Sequence, residues 1–209
     1  MVQMNLINQL LYFVMFASKK YNIDESHGLT HSINVLHYAN ELFEYESVLH
    51  PMIKPHDKII YVSAALHDMC DKKYMDVSEG IREIDTFLQD KLVANEINVV
   101  EKIITTMSYS KVKQDGFPYL GQFQKAYNIV READLLAAYD FDRCIVYNLH
   151  CKKNDIHSAY EEAYDLFHKR VFRHEEDGLL TSDLSKSKHV LLKNRALERM
   201  GSWRKILKL

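Results

Sequence analysis

The feature that most constrains this chain is a segment that is apolar on nearly every side. Across residues 56–70, Ile59, Ile60, Val62, Ala65 and Leu66 make a helix apolar on most sides. Such a helix belongs in the middle of a fold, with others packed around it. The remaining sequence supplies those others. Leu6, Leu10, Phe13 and Ala17 recur at helical spacing in residues 6–21, as do Ile33, Leu36 and Ala39 in residues 31–44. The same reading places helices at 78–91, 95–109, 123–139, 140–151 and 158–173, and a last one from about residue 182. No stretch alternates as a strand would. Only 6 Gly and 3 Pro interrupt the chain, which favours long helices. Gly116, Pro118 and Gly121 mark residues 110–121 as a mobile loop. The expected fold class is all-α, a single-domain helical bundle over residues 1–209, a length sufficient for one proper core.

Bulk properties exclude more than they select. A formal net charge of −2 singles out no partner. Cys70, Cys144 and Cys151 are odd in number and lack CxxC spacing, so no disulfide framework is expected and a cytoplasmic, reducing setting fits. The apolar run at residues 10–16 lacks a basic flank and a cleavage site, and it falls well short of the roughly 20 residues a bilayer requires. It is read as part of an amphipathic first helix, with no membrane partner. Residues 186–209 carry eight Lys or Arg against one acid, Glu198, a local net of +7 in a chain whose total is −2. Trp203, Ile206 and Leu207 interleave with these charges. A nucleic-acid or membrane-surface patch is one reading of this pattern; a closing helix with a solvated basic face is the preferred one.

The chemistry starts at His67-Asp68, which follows Ser63-Ala64-Ala65-Leu66 at the end of the most apolar helix. An ionised Asp buried there costs several kcal/mol unless it is paired or ligated. A metal relieves that cost, because neutral imidazole and carboxylate are both good ligands for divalent first-row ions. Facing helices would complete such a site. His31 opens the second helix. Asp134 begins a small apolar run inside Arg131-Glu132-Ala133-Asp134-Leu135-Leu136-Ala137, so its helix face is expected to be buried.

The order His, His-Asp, Asp resembles the signature of the HD superfamily of metal-dependent phosphohydrolases. Three segments carry the likeness. They are His27-Gly28-Leu29-Thr30-His31-Ser32-Ile33-Asn34-Val35, Ala64-Ala65-Leu66-His67-Asp68-Met69-Cys70-Asp71, and Ile129-Val130-Arg131-Glu132-Ala133-Asp134-Leu135-Leu136. Leu180-Thr181-Ser182-Asp183 with Lys193-Asn194-Arg195 is similar to the ending of a bacterial-type subgroup that includes nucleotide pyrophosphohydrolases. The resemblance covers residues 24–200, with a motif-bearing core over about 24–140 and C-terminal helices over about 141–209. It implies one divalent metal ion held by His31, His67, Asp68 and Asp134, with Mn²⁺ first and Fe²⁺, Co²⁺, Ni²⁺ or Mg²⁺ as alternatives. Two-metal relatives place further histidines between the two aspartate motifs, whereas this chain has none between Asp68 and Asp134.

Four such ligands leave coordination positions open for activated water and for a phosphoryl oxygen. Asp71 lies three residues after Asp68, and a continuing helix would put it on the ligand face to orient or deprotonate the water, so Asp71 and Asp68 are the candidate catalytic residues. Arg131, three residues before Asp134, suits bidentate phosphate contact. Lys72, Lys73, Lys111 and His27 are the other candidate substrate contacts. The substrate class is a phosphorylated small molecule, a nucleotide first, with (d)NTP pyrophosphohydrolysis ahead of 5′-nucleotidase or alarmone-hydrolase action. The readings from other classes are a catalytically silent nucleotide- or metal-binding module and a nucleic-acid binder acting through the basic C-terminal helix.

Overall fold

The structure, a computed structural model, describes residues 2–209. Ten α-helices are found among them: α1 (Val2–Lys20), α2 (Leu29–Leu49), α3 (Asp57–Leu66), α4 (Val77–Leu88), α5 (Ala94–Thr106), α6 (Tyr109–Asp115), α7 (Gln124–Ala137), α8 (Phe141–His150), α9 (Ile156–Lys169) and α10 (Asp183–Leu207). Short 3₁₀ turns occupy Pro51–His56, Gly121–Phe123 and Val171–Arg173, and no strand occurs among the described residues. The chain is a single all-helical domain.

The all-round apolar segment is α3, and its surroundings explain its composition. Helices α1, α2, α5 and α7 all pack against it. Ile59, Ile60, Val62, Ser63, Ala64, Ala65 and Leu66 are all buried. Each large apolar side chain buried there contributes about 1.5–3 kcal/mol relative to exposure. Helix α1 brings Leu10, Val14 and Ala17 to this core and stacks Phe13 on Phe87 of α4, while Tyr12 and Phe16 stay exposed. Helices α2 and α7 form the most extensive pair. Glu46 meets Lys125 at 3.0 Å near one end of the pair and His31 meets Asp134 at 3.3 Å near the other, so the two helices run antiparallel.

A second apolar cluster gathers Phe141, Tyr160, Phe167 and Met200 from α8, α9 and α10, with Tyr139 from the α7–α8 link and Phe172 from the 3₁₀ turn after α9. Helix α10 ties the two clusters together, with Leu184 packed on the first and Trp203 and Leu207 on the second. Part of its basic charge is answered within the chain. Arg199 grips Asp142 through Nε at 2.9 Å to both carboxylate oxygens, Trp203 Nε1 donates to the same carboxylate at 2.7 Å, and Lys188 pairs with Glu41 at 2.9 Å. Among the described residues no helix is long and apolar enough to cross a membrane. The three cysteines are free thiols.

Two expected boundaries are corrected. The 110–121 loop is helical over its first part, because α6 runs to Asp115 and is closed by Gly116 at φ +76°, a left-handed value that glycine adopts without strain. Helix α3 stops at Leu66 rather than at residue 70; His67 through Cys70 form turns closed by Met69 N to Leu66 O and Asp71 N to Asp68 O.

Candidate metal centre

Three pieces of local structure bring the site together. Between α1 and α2, Asp24 folds the chain by accepting Ser26 N at 2.9 Å through its side chain and His27 N at 3.0 Å through its carbonyl, an Asx-type turn that feeds directly into α2. The turn after α3 is held in place by Gly80 of α4. A Cβ on Gly80 would stand 2.9 Å from Cys70 Cα, so only glycine lets α4 lie this close to the segment carrying His67 and Asp68. Helix α7 packs along α2 and delivers Asp134 opposite His31.

The result is a tight group of four side chains. His31 Nε2 and His67 Nε2 are 3.1 Å apart. Asp68 Oδ2 is 3.4 Å from the first and 3.3 Å from the second. Asp134 Oδ1 is 3.3 Å from His31 Nε2 and 3.6 Å from His67 Nε2. His31, His67 and Asp134 each present one ligand atom within 4.8 Å of the others, and Asp68 flanks the histidine pair. The imidazoles form the floor, with 1% and 3% of their side chains exposed, and the carboxylates form the rim, at 15% and 26%.

This donor set fits a cation. His67 Nδ1 donates to the Ala64 carbonyl at 2.9 Å, which leaves the lone pair of the neutral ring on Nε2, facing His31. Asp68 Oδ2 is buried without a hydrogen-bond partner. Two ring nitrogens and two carboxylates this close repel unless positive charge sits among them. In the metal-free chain a proton does that work. Burial pulls the His67 pKa down, but Asp68 and Asp134 outweigh it and hold that imidazole well above its usual value. Burial likewise pushes Asp134 up, and the two histidines more than reverse it, keeping the carboxylate ionised well below the ordinary range. A divalent ion satisfies the same group better. Ligand atoms about 2.1 Å from a shared ion stand about 3.0 Å apart at right angles and about 3.4 Å apart at tetrahedral angles, and four of the five separations here, 3.1–3.4 Å, fall in that range, with His67–Asp134 slightly longer at 3.6 Å.

The other sequence-derived candidates divide. His27 lies edge-on to His31 with ring centroids 6.3 Å apart, and its Nε2 accepts from Lys73 Nζ at 3.2 Å. Burial holds His27 at about 4, so it is a neutral acceptor at physiological pH. Lys73 also rests 5.4 Å over the Tyr147 ring and 3.4 Å from Asp71. Asp71 is not on a continuation of α3; it closes the turn by accepting Lys73 N at 2.9 Å. Lys72 is exposed. Lys111 lies on α6 and donates back to the Thr105 carbonyl, while its charge still reaches Cys70 beside Asp68.

Arg131 is a correction. Its side chain is 1% exposed, bonded to Glu132 at 3.2 Å and covered by the Phe117 ring at 4.3 Å. Glu132 in turn accepts Thr181 N at 2.9 Å and Ser182 N at 3.1 Å, which fastens the start of α10 to α7. Three residues along a helix is a rotation of about 300°, so Arg131 sits some 60° off the Asp134 direction, enough to turn it into the packing interface. An enclosed guanidinium does not meet an external phosphate.

Sequence reasoning missed three basic residues that the fold brings near the cluster. The charge of Arg143 in α8 acts on His27 and His31, and that of Arg170, which caps α9, acts on Asp134. His174 lies against Tyr139 and also feels Asp134. Nothing in their local sequence marks them, since their proximity arises from how α8 and α9 pack.

No protein-family model matches the chain, and no curated protein matches it. Among solved structures, the crystal structure of a Lactobacillus plantarum protein determined as a Northeast Structural Genomics target is similar over 100% of this chain and 99% of that one, with a TM-score of 0.72 at 16% sequence identity. That likeness establishes a shared fold.

Proposed function

We propose that this protein is a metal-dependent phosphohydrolase of the HD type acting on a nucleotide or a related phosphate ester or anhydride, with (d)NTP pyrophosphohydrolysis as the first reading. The observation that carries the reading is the convergence of His31, His67, Asp68 and Asp134, from three separate segments, with the two imidazole nitrogens 3.1 Å apart and each carboxylate 3.3–3.6 Å from them. A divalent metal bound there, Mn²⁺ first, with Fe²⁺, Co²⁺, Ni²⁺ or Mg²⁺ as alternatives, supplies Lewis-acid activation of water and of a phosphoryl oxygen.

The chain's own residues do the rest. His67 is held in its ligating tautomer by Ala64 O, which would leave the Nε2 lone pair free to hold the ion. The rim carboxylates of Asp68 and Asp134 are ionised at neutral pH and balance the ion's charge. Asp71 closes the turn that carries Asp68 and lies 3.4 Å from Lys73, so its part in the proposal is to hold that turn and the Lys73 ammonium at the site's edge. Lys73 and the neutral His27 bond to one another at the site's edge and offer a cation to an incoming phosphate.

A panel of nucleoside mono-, di- and triphosphates and an alarmone, assayed with Mn²⁺, Mg²⁺, Co²⁺ and Ni²⁺, tests the proposal. The expected result is metal-dependent release of phosphate or pyrophosphate, reduced at least a hundredfold in Asp68→Ala and His31→Ala. Pyrophosphate release from triphosphates separates the first reading from 5′-nucleotidase and alarmone-hydrolase action. Product release that is equal in wild type and Asp68→Ala overturns the proposal.

A further inference from the structure

We infer that Arg143 and Arg170 form a two-guanidinium anion clamp on the α8–α9 side of the metal centre, built to grip a pyrophosphate-type phosphate chain. This rests on reading the His/Asp cluster as a metal site for a phosphorylated substrate. Arg143 stands in the first turn of α8, whose N-cap Asp140 accepts Arg143 N at 3.2 Å. Its Nε donates to the Ser26 carbonyl, which pins the side chain over the loop leading to His31. Both terminal nitrogens then remain available. Arg170 projects from the C-terminal end of α9, and its guanidinium lies 4.2 Å above the Tyr109 ring. Tyr109 is itself fixed by donating to Asp177 at 3.1 Å. A guanidinium stacked on a ring keeps its in-plane N–H donors free for a ligand.

Neither arginine has a carboxylate at ion-pair distance among the described residues, whereas Arg131, Arg173 and Arg199 each do. Both are partly buried rather than free in water. A half-buried cation without a counter-ion is costly, and nature removes that cost with a partner or a ligand. The carboxylates at the cluster are not that partner once a divalent ion is bound, because Asp68 and Asp134 together offset its charge. Two positive charges are then left over, and they lie close enough for the charge of Arg143 to act on Arg170. Two neighbouring guanidiniums with no carboxylate between them suit the charge of two linked phosphoryl groups better than that of a single phosphate. Each fork matches the oxygens of its own phosphoryl group in bidentate fashion.

The test is calorimetric titration of inorganic pyrophosphate and of orthophosphate into the Mn²⁺-loaded full chain. Four variants accompany wild type: Arg143→Gln, Arg170→Gln, Arg170→Lys, and Arg195→Gln, an exposed guanidinium lining the separate 320 Å³ cleft between α2 and α10. Pyrophosphate is expected to bind wild type at least tenfold more tightly than orthophosphate. Arg143→Gln and Arg170→Gln each weaken pyrophosphate binding at least tenfold, with Mn²⁺ affinity and helical circular dichroism unchanged, and Arg195→Gln does not. Should Arg170→Gln fail to fold, Arg143→Gln and Arg170→Lys carry the test, the latter weakening binding because an ammonium lacks the fork. Wild-type pyrophosphate affinity in folded Arg143→Gln and Arg170→Lys overturns the clamp, as does equal weakening by Arg195→Gln. Loss of pyrophosphate binding in the variants together with no nucleotide turnover in wild type sustains the clamp and rejects the hydrolase reading. Unchanged kcat/KM on triphosphates in Arg143→Gln and Arg170→Lys does the reverse.

Discussion

Gly80→Ala perturbs the metal centre from outside it. The new methyl would stand 2.9 Å from Cys70 Cα, 2.9 Å from Cys70 Cβ and 2.9 Å from Met75 Sδ. The sulfur sits on a flexible side chain and can yield, but Cys70 Cα is backbone in the turn that carries His67 and Asp68. Comfortable contact requires about 0.5 Å more room, so α4 or that turn must move by that much. Overpacking of this kind costs about 1–3 kcal/mol. In a chain of this size it lowers Tm by roughly 2–12 °C. Moving the turn also displaces Asp68, so the Tm increment produced by saturating Mn²⁺ shrinks as well. Gly201→Ala in α10 is the control, since nothing lies within 4 Å of its Cβ position. There the same change removes a helix-interior glycine and raises stability by about 0.5–1 kcal/mol. Thermal unfolding of both variants with and without Mn²⁺ decides the matter. Gly80→Ala as stable as Gly201→Ala, with an undiminished Mn²⁺ increment, would refute the claim that Gly80 sets the position of the His-Asp turn.

Glu132→Ala strips the buried Arg131 of its counter-charge and releases Thr181 and Ser182, so urea denaturation should show a loss of about 3–5 kcal/mol; a loss below about 1 kcal/mol would contradict the anchoring role. His174 has no hydrogen-bond partner on either ring nitrogen, and burial, helped by the Arg170 charge, holds it at about 3 against an unfolded value near 6.5. The unfolded chain therefore takes up this proton first, and stability falls as pH drops from about 6.5 towards 3. Urea midpoints measured at pH 7 and pH 4.5 should differ less in His174→Phe than in wild type, and equal differences would count against it. Metal binding must displace the proton that His67 holds between the carboxylates, so calorimetry in two buffers of different ionisation enthalpy should report about one proton released per ion at neutral pH; no release would contradict the proton-for-metal exchange.

The parts of this molecule that were legible in its sequence are those where one residue type admits few environments. A helix apolar on most sides had to be central, and α3 is enclosed by four others. An Asp at its end needed a partner, and the His-Asp pair does lie with His31 and Asp134. Where several environments suit a residue, spacing alone misleads. Arg131 fitted a phosphate contact by its distance from Asp134 in sequence, yet a 60° offset sends it into the α7 interface under Phe117. Asp71 depended on α3 continuing, and the turns after Leu66 changed its direction. Arg143 and Arg170 could not be read at all, because only the packing of α8 and α9 carries them to the cluster. Tertiary contacts between distant segments leave no periodic trace in a single sequence.

The most direct test of the account is a Mn²⁺ titration followed by calorimetry on the wild-type chain and on His31→Ala, Asp68→Ala and Asp134→Ala. The account predicts one ion per wild-type chain and at least a hundredfold weaker binding in each variant, with helical content retained. Wild-type protein that binds no divalent ion, or variants that bind it as tightly as wild type, would contradict it.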